Sequence, residues 1–238
     1  MNLLIVHAHP EPKSFNGAMT RTAVAALTGA GHAVRVSDLY AMRFDPVSDR
    51  RNFTTVRDPD FYNQQVEELH ATEANGFVPE IAAELDKLVW CDTLILQFPL
   101  WWFGLPAIMK GWVDRVFAMG RTYGFGQWYD QGIFRGRRAM CAVTTGAPES
   151  IYASDGLHGD IRNLLFPVNH GILYFMGFTS LEPFVAFGVG RADDAQRAAT
   201  LERYREAVLA LDTRRVIPYA PLDAYDSSFR LKSAAVAS

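Results

Sequence analysis

The run Leu3-Leu4-Ile5-Val6 and the segment behind it, His9-Pro10-Glu11-Pro12-Lys13-Ser14-Phe15-Asn16, decide the fold. An apolar run without polar alternation suits a short strand buried on both faces. The loop after it is polar and proline-containing, and Ser14 and Asn16 are residue types that cap helices. Residues Gly17 to Leu27 are alanine-rich and helix-favouring, with Gly29 and Gly31 to end the helix, and Ala33 to Val36 reads as a second strand. The chain therefore begins with a strand–helix–strand unit.

Outward from that unit the alternation continues. Pro79 to Leu88 reads as a helix with proline near its start, Thr93 to Phe98 as a strand, Pro106 to Met119 as a helix and Ala139 to Thr144 as a strand. Asp160 to Phe175 reads as helical with an interruption at Pro167, Phe184 to Val189 as the last strand and Asp193 to Leu211 as the last helix. The tail after Pro218 reads as irregular. Residues Tyr40 to Gly76 stand apart: they are polar, rich in Asp, Asn and Gln, and show little apolar period, which predicts a functional excursion or a partner-contacting arm. The pattern specifies one α/β domain over residues 1–238, a doubly wound parallel sheet with helices on both faces. Ligands of such sheets bind beyond the carboxyl ends of the strands, so the loops after Val6, Phe98 and Thr144 are the candidates.

Composition narrows the function. Of the 238 residues, 49% are hydrophobic and 21% charged, with a formal net charge of −3, which is ordinary globular chemistry and a poor match to nucleic acid. Cys91 and Cys141 lie in apolar segments without CxxC spacing, so buried free thiols are expected rather than a disulfide framework or zinc site. The N-terminus lacks a basic n-region, and no stretch reaches the roughly 20 apolar residues of a membrane span. A cytoplasmic protein that does not insert into a membrane is expected. His7 and His9 lie two apart but lack an evident carboxylate partner, and no metal is expected.

Each loop carries unusual residues. In the first, Ser14 and Asn16 precede a helix whose N-terminus favours phosphate, while the G-x-G-x-x-G and Walker patterns are both absent. A phosphate loop of hydroxyl and amide groups suits a flavin nucleotide better than a nicotinamide-holding Rossmann loop or a nucleoside triphosphate. The second, Pro99-Leu100-Trp101-Trp102-Phe103-Gly104, offers rings to stack on a planar cofactor and backbone N–H groups for its polar edge. The third, Thr144-Thr145-Gly146-Ala147, leads to Tyr152 and His158, a phenol and an imidazole able to carry protons. Taken singly, each loop has a plainer reading: a capped turn, a core aromatic cluster, a polar surface histidine.

Taken together, Ala8-His9 with Ser14-Phe15-Asn16, Ser37-Asp38-Leu39-Tyr40-Ala41-Met42, Gln97-Phe98-Pro99-Leu100, Trp102-Phe103-Gly104, Lys110-Gly111-Trp112, Thr144-Thr145-Gly146 and Gly156-Leu157-His158-Gly159-Asp160 resemble the NAD(P)H:quinone oxidoreductase family of the DT-diaphorase type. The resemblance spans nearly the whole chain. It implies a flavodoxin-like fold, tightly bound FAD, NADH or NADPH as hydride donor, a quinone acceptor, ping-pong turnover and a homodimer with active sites at the interface. It places His9, Ser14, Phe15 and Asn16 around the FAD pyrophosphate, and Pro99, Leu100, Trp101, Trp102 and Phe103 along the isoalloxazine. Thr144, Thr145 and Gly146 fall at the flavin's pyrimidine edge, and Arg197 near the adenine half. Asn63 joins the cofactor-binding set from the polar arm. Tyr152 and His158 match the pair that supports charge on the flavin, with His158 also facing substrate. Tyr123, Phe125 and Phe175 match substrate-cavity aromatics that come in part from the other protomer. Phe125 stands where the mammalian enzymes have tyrosine, Ala147 replaces a glycine and Trp101 a glutamine.

A hydride-accepting flavin gains negative charge near N1 and O2, and donors placed there beforehand lower the barrier. Tyr152 and His158 suit that role, beside the Gly146 N–H. Two other readings stay open: an FMN-dependent azoreductase or nitroreductase, and a regulatory flavoprotein subunit of a potassium-efflux system, with the arm from Tyr40 to Gly76 as docking surface. A flavodoxin-like electron carrier is disfavoured, because such carriers are usually shorter and strongly acidic.

Overall fold

In the computed structural model, which describes residues 1–232, the elements run β1 (Asn2–His7), α1 (Phe15–Gly29), β2 (Ala33–Asp38), α2 (Gln64–Ala74), α3 (Pro79–Trp90), β3 (Thr93–Pro99), α4 (Ala107–Val116), β4 (Arg138–Thr144), α5 (Ile161–Val168), β5 (Thr179–Ala186) and α6 (Asp194–Leu209). The five strands pair in parallel in the order β2-β1-β3-β4-β5. This is the flavodoxin-like order, with its reversal between β1 and β3. Because successive side chains of a strand point to opposite faces, each strand feeds two cores. Leu3 and Ile5 pack with Met19, Ala23 and Leu27 of α1 and Tyr204, Ala207 and Val208 of α6. Leu4 and Val6 pack with Ile81, Leu85 and Leu88 of α3, Met109 and Trp112 of α4, and Leu165 of α5. The unalternated apolar run is thus the signature of a strand covered on both sides. Register sets the site's height: β3 and β4 end level, Pro99 opposite Thr144, and β1 ends two residues earlier at His7, opposite Gln97.

Four expectations need correction. The last strand runs Thr179–Ala186, not Phe184 to Val189. It contains Pro183, tolerated because β5 is an edge strand, and the β4–β5 register shifts between Met140 and Ala142. Pro167 does not interrupt its helix. It is the penultimate residue of α5, and the chain continues as a π-helical segment, Asn169–Tyr174, whose wider turn accommodates the lost backbone donor. The tail beyond Pro218 is not wholly irregular: Leu222–Ala224 forms a short 3₁₀ turn, and the Leu222 N–H donates to Asp130 at 2.9 Å. With Trp128, Tyr129, His170, Tyr174 and Phe175, this tail walls a cavity of about 370 Å³.

The fourth correction concerns residues 40–76, which hold α2 and a 3₁₀ turn, Arg50–Asn52. The buried residues of α2 are Glu67, Glu68 and Ala71, so its inward face is acidic and leaves no apolar period. The Glu67 carboxylate accepts the backbone N–H groups of Arg57 at 2.7 Å and Asp58 at 3.0 Å, with Arg50 beside it at 3.5 Å. Glu68 accepts the Met119 N–H at 2.7 Å. Side-chain acceptors do here what strand ladders do elsewhere. Burial raises the Cys91 and Cys141 thiols to about 12, consistent with inert core residues. Among the described residues no helix is long and apolar enough to cross a membrane.

Glu67→Leu should destabilise the protein by about 1–3 kcal/mol, because it removes the charged acceptor of two loop N–H groups and the partner of the Arg50 guanidinium. Urea unfolding measures the loss. Hydrogen exchange should locate it at residues 53–63, and unchanged protection there would count against the anchor.

Candidate functional site

Ser14 caps α1, its hydroxyl accepting the Gly17 N–H at 3.0 Å. A Cβ at Gly17 would lie 2.4 Å from the Pro12 carbonyl oxygen, so the close return of the loop requires glycine. The first-turn N–H groups of Phe15 and Asn16 have no helical acceptor and form the positive end of α1. The Asn16 side chain, however, is buried and donates to Thr144 Oγ1 at 3.1 Å. It joins two loops rather than reaching outward.

The loop after β3 is anchored where the Leu100 N–H donates to the Thr144 carbonyl at 2.9 Å. It then turns tightly, with the Gly104 N–H donating to the Trp101 carbonyl at 3.1 Å. At the tip Trp102 and Phe103 have φ of 49° and 61°. Both are bulky residues in the left-handed region, a strained arrangement. Trp102 is 96% exposed.

The loop after β4 is pinned by Thr145, whose N–H donates to Ala186 O at 2.9 Å and whose hydroxyl donates to Ala147 O at 2.8 Å. A Cβ at Gly146 would meet nothing within 4 Å, so this glycine faces open space. Tyr152 ends a 3₁₀ turn, Glu149–Tyr152, and is buried. Burial raises its phenol above the ordinary value, with a hydrogen bond to Thr145 opposing. The Tyr152 and His158 rings lie 5.2 Å apart, and the His158 N–H donates to Ile151 O at 2.9 Å.

The loops clasp one another in pairs. His9 lies 5.9 Å from Trp101, Phe103 meets His158 edge-on at 5.0 Å, and Asn16 bonds Thr144. The structure therefore gathers His9, Ser14 to Asn16, Pro99 to Phe103, Thr144 to Gly146, Tyr152 and His158 at one end of the sheet. Arg197 stands exposed in the first turn of α6, the helix packed against α1. Asn63 caps α2, accepting the Val66 N–H at 3.3 Å. The substrate aromatics form a separate group. Tyr123 lies 6.0 Å from Phe175, which in turn meets Trp128 and Tyr129, and Phe125 is 88% exposed. Among the described residues no cluster of His, Cys, Asp and Glu could hold a metal.

Sequence reasoning missed what lies beneath. Gln97, Thr20, His7 and Tyr204 fill the seam between α1, α6 and the sheet. Tyr204 OH donates to Gln97 Oε1 at 2.8 Å, Gln97 Nε2 donates to Asn16 O at 2.7 Å and to Thr20 Oγ1, and Thr20 Oγ1 lies 3.0 Å from His7 Nδ1. The one available signal was an amide in the middle of an otherwise apolar strand. His7 is held below its ordinary pKa by burial, with Asp38 partly opposing.

Comparison with known proteins agrees with this geometry. A family model described as flavodoxin-like fold matches residues 1–208, and the chain belongs to that family. It is 40% identical over 228 residues to guinea pig NAD(P)H dehydrogenase [quinone] 1, covering 95% of this chain and 83% of that protein. To human ribosyldihydronicotinamide dehydrogenase [quinone] it is 38% identical over 217 residues, covering 91% and 94%. A crystal structure described as a quinone reductase from Klebsiella pneumoniae superposes with a TM-score of 0.94 at 38% identity, over 98% of this chain and 95% of that one. General stress protein 14 of Treponema denticola, solved in complex with FMN, gives 0.61 at 26% identity over 90% and 99%.

A pH dependence follows from His7. Its folded pKa lies below the unfolded value of about 6.5, so below that pH the unfolded chain takes up a proton that the folded chain refuses. Stability should fall as pH drops from about 7 towards 5. Urea midpoints should show a shallower fall in His7→Gln; equal slopes would refute the assignment.

Proposed function

We propose that this chain is an FAD-dependent NAD(P)H:quinone oxidoreductase that works as a homodimer in the cytoplasm. The observation that carries the reading is the clasp of three loops at the carboxyl ends of β1, β3 and β4, with Tyr152 and His158 side by side in the third of them. The donor set suits a flavin dinucleotide. The positive end of α1 and the Ser14 loop would take the pyrophosphate, and the open face of Gly146 leaves room for a ring edge. Trp101 to Phe103 would flank the ring system, and Arg197 on the neighbouring helix would meet the adenine half. A bound flavin supplies the two-electron chemistry, taking hydride from NAD(P)H and passing it to a quinone.

The chain's own part is electrostatic and steric. Tyr152 keeps its proton through the physiological range, as a phenol ordinarily does, and burial raises its pKa further. It can therefore donate to charge developing at the pyrimidine edge, as a fixed donor does in an oxyanion hole. The His158 main chain is held by its N–H bond to Ile151 O, and its imidazole lies against the Phe103 edge and the Tyr152 ring. The exposed aromatic turn excludes water from one face once a planar donor or acceptor stacks there. Donor and acceptor would share this face in turn, which gives ping-pong kinetics.

The dimer is supported by Trp102, Phe125 and Leu157, all more than four-fifths exposed at 96%, 88% and 87%. The ring neighbours of Tyr152 and His158 are Phe103 and Phe187, not Tyr123 or Phe175, which suits a Tyr123–Phe175 group that walls the partner's cavity. Asn63, the N-cap of α2, would serve the same way. FMN is the competing cofactor, because a related fold is solved with it.

Purified protein should be yellow, release about one FAD per chain on denaturation, bleach with NADH or NADPH and recolour with benzoquinone. Release of FMN would overturn the cofactor, and failure to recolour would overturn the reaction. Sedimentation should give a dimer, and an active flavin-replete monomer would refute the shared cavity. Tyr152→Phe and His158→Gln should retain flavin and slow bleaching by roughly 10- to 1000-fold, with the double variant less than additive. Wild-type bleaching in both single variants would remove them from the reductive step.

A further inference from the structure

Gln97 is fully buried in β3, with a different element at each end of its amide. Its Oε1 accepts the Tyr204 hydroxyl of α6 at 2.8 Å. Its Nε2 faces Asn16 O at 2.7 Å, Asn16 Oδ1 at 3.2 Å, Thr20 Oγ1, and His7 Nδ1 at 3.4 Å. Asn16 in turn donates from Nδ2 to Thr144 Oγ1 at 3.1 Å. A single line of hydrogen bonds, Tyr204–Gln97–Asn16–Thr144, thus runs from the last helix through the sheet to both loops.

An amide has a donor end and an acceptor end of nearly the same shape, and its neighbours decide which way it faces. Here every neighbour at the Nε2 end can accept, and at the other end Tyr204 donates. The Asn16 carbonyl oxygen, which can only accept, fixes the orientation of Gln97, and the Tyr204 hydroxyl supplies the donor for its buried Oε1. Without it Oε1 would be buried without a donor, and a flipped amide would turn an oxygen towards the Asn16 carbonyl oxygen. Asn16 would then lose the partner that holds its own amide against Thr144.

We infer that Tyr204 and Gln97 are positioning residues for the cofactor, fixing the phosphate loop and the loop after β4 at the separation a flavin requires without touching the flavin. The inference rests on the proposed flavin reading. Loops held in their bound arrangement need no ordering when the ligand arrives, so the loss of this line should appear in flavin affinity. The chemistry of Tyr152 and His158 should be spared.

Tyr204→Phe removes one oxygen from a packed ring and keeps its shape. Flavin-free protein is titrated with FAD by fluorescence, alongside thermal melts of the flavin-free form and stopped-flow bleaching of the flavin-saturated form. The variant should bind FAD roughly tenfold more weakly, yet bleach with NADH at the wild-type rate once saturated. Gln97→Met should weaken FAD binding at least as much, and adding Tyr204→Phe to it should do no further harm, because Tyr204 acts through Gln97. A lower melting temperature in Tyr204→Phe with unchanged FAD affinity would overturn the inference and make the line a stability feature only. If Gln97→Met does not fold, the Tyr204→Phe titration decides alone. The wild-type titration separates the two levels: no flavin binding there overturns the functional reading and this inference together, whereas equal binding by wild type and Tyr204→Phe overturns the inference alone.

Discussion

The reversal of strand order between β1 and β3 governs this molecule. The helix after β1 covers one face of the sheet and the helix after β3 covers the other, so the two loops part at adjacent strand ends. A crevice opens there without any residue being dedicated to making it. Parallel pairing then fixes its depth. With Pro99 opposite Thr144, and β1 ending two residues earlier opposite Gln97, the loops leave the sheet close together, and short side chains such as Asn16 and Thr144 can reach across. A slip of one residue in β3 would turn Gln97 from the α1–α6 side to the opposite core and dissolve the polar line beneath the loops.

Polar groups in a core usually destabilise it unless every one is bonded. This fold accepts several and pairs most of them, Thr55 Oγ1 and Tyr62 OH being buried without a partner among the described residues. Glu84, wholly buried, takes the Trp112 indole N–H at 2.8 Å and Lys87 Nζ at 2.6 Å. Arg115 of α4 donates to Asn52 at 2.7 Å and lies 3.1 Å from Glu80. These bonds are directional, which hydrophobic contacts are not. Glu84 ties α3 to α4, and Arg115 holds the polar segment from 40 to 76 against α4 through Asn52 and the Asp45 carbonyl, where apolar packing alone would leave it free to slide. The same logic applies beneath the crevice, where alignment of loops matters more than net stabilisation.

The parts of the fold that were legible in the sequence are those built on apolar period. Leu3 to Val6, Thr93 to Phe98 and Ala139 to Thr144 read as strands because both faces of each are covered. The loops between them read as a site because Ser14, the three aromatics from Trp101, and the Tyr152–His158 pair are unusual at strand ends. What escaped was structure held by side-chain hydrogen bonds. The helix α2 buries two glutamates, and no hydropathy pattern announces it. The last strand was misplaced because Pro183 argues against a strand wherever edge position is unknown. Tyr204 lay within a predicted helix, but its partner is 107 positions away, a separation invisible to local reading.

The aromatic turn after β3 is the clearest conflict between local preference and observed structure. Two bulky residues in succession, Trp102 and Phe103, hold left-handed backbone angles, and Trp102 places nearly all of its indole in water. Each choice opposes stability taken alone, and glycine or asparagine would relieve the strain. The turn persists because its ends are held, at Leu100 by the Thr144 carbonyl and at Trp101 by the Gly104 N–H, and because His9 and His158 flank the rings on either side. Strain kept where rings meet solvent points to work done on something outside the chain. A flat ligand beside these rings would bury apolar area that the free protein exposes, so binding would return what the turn withholds from folding.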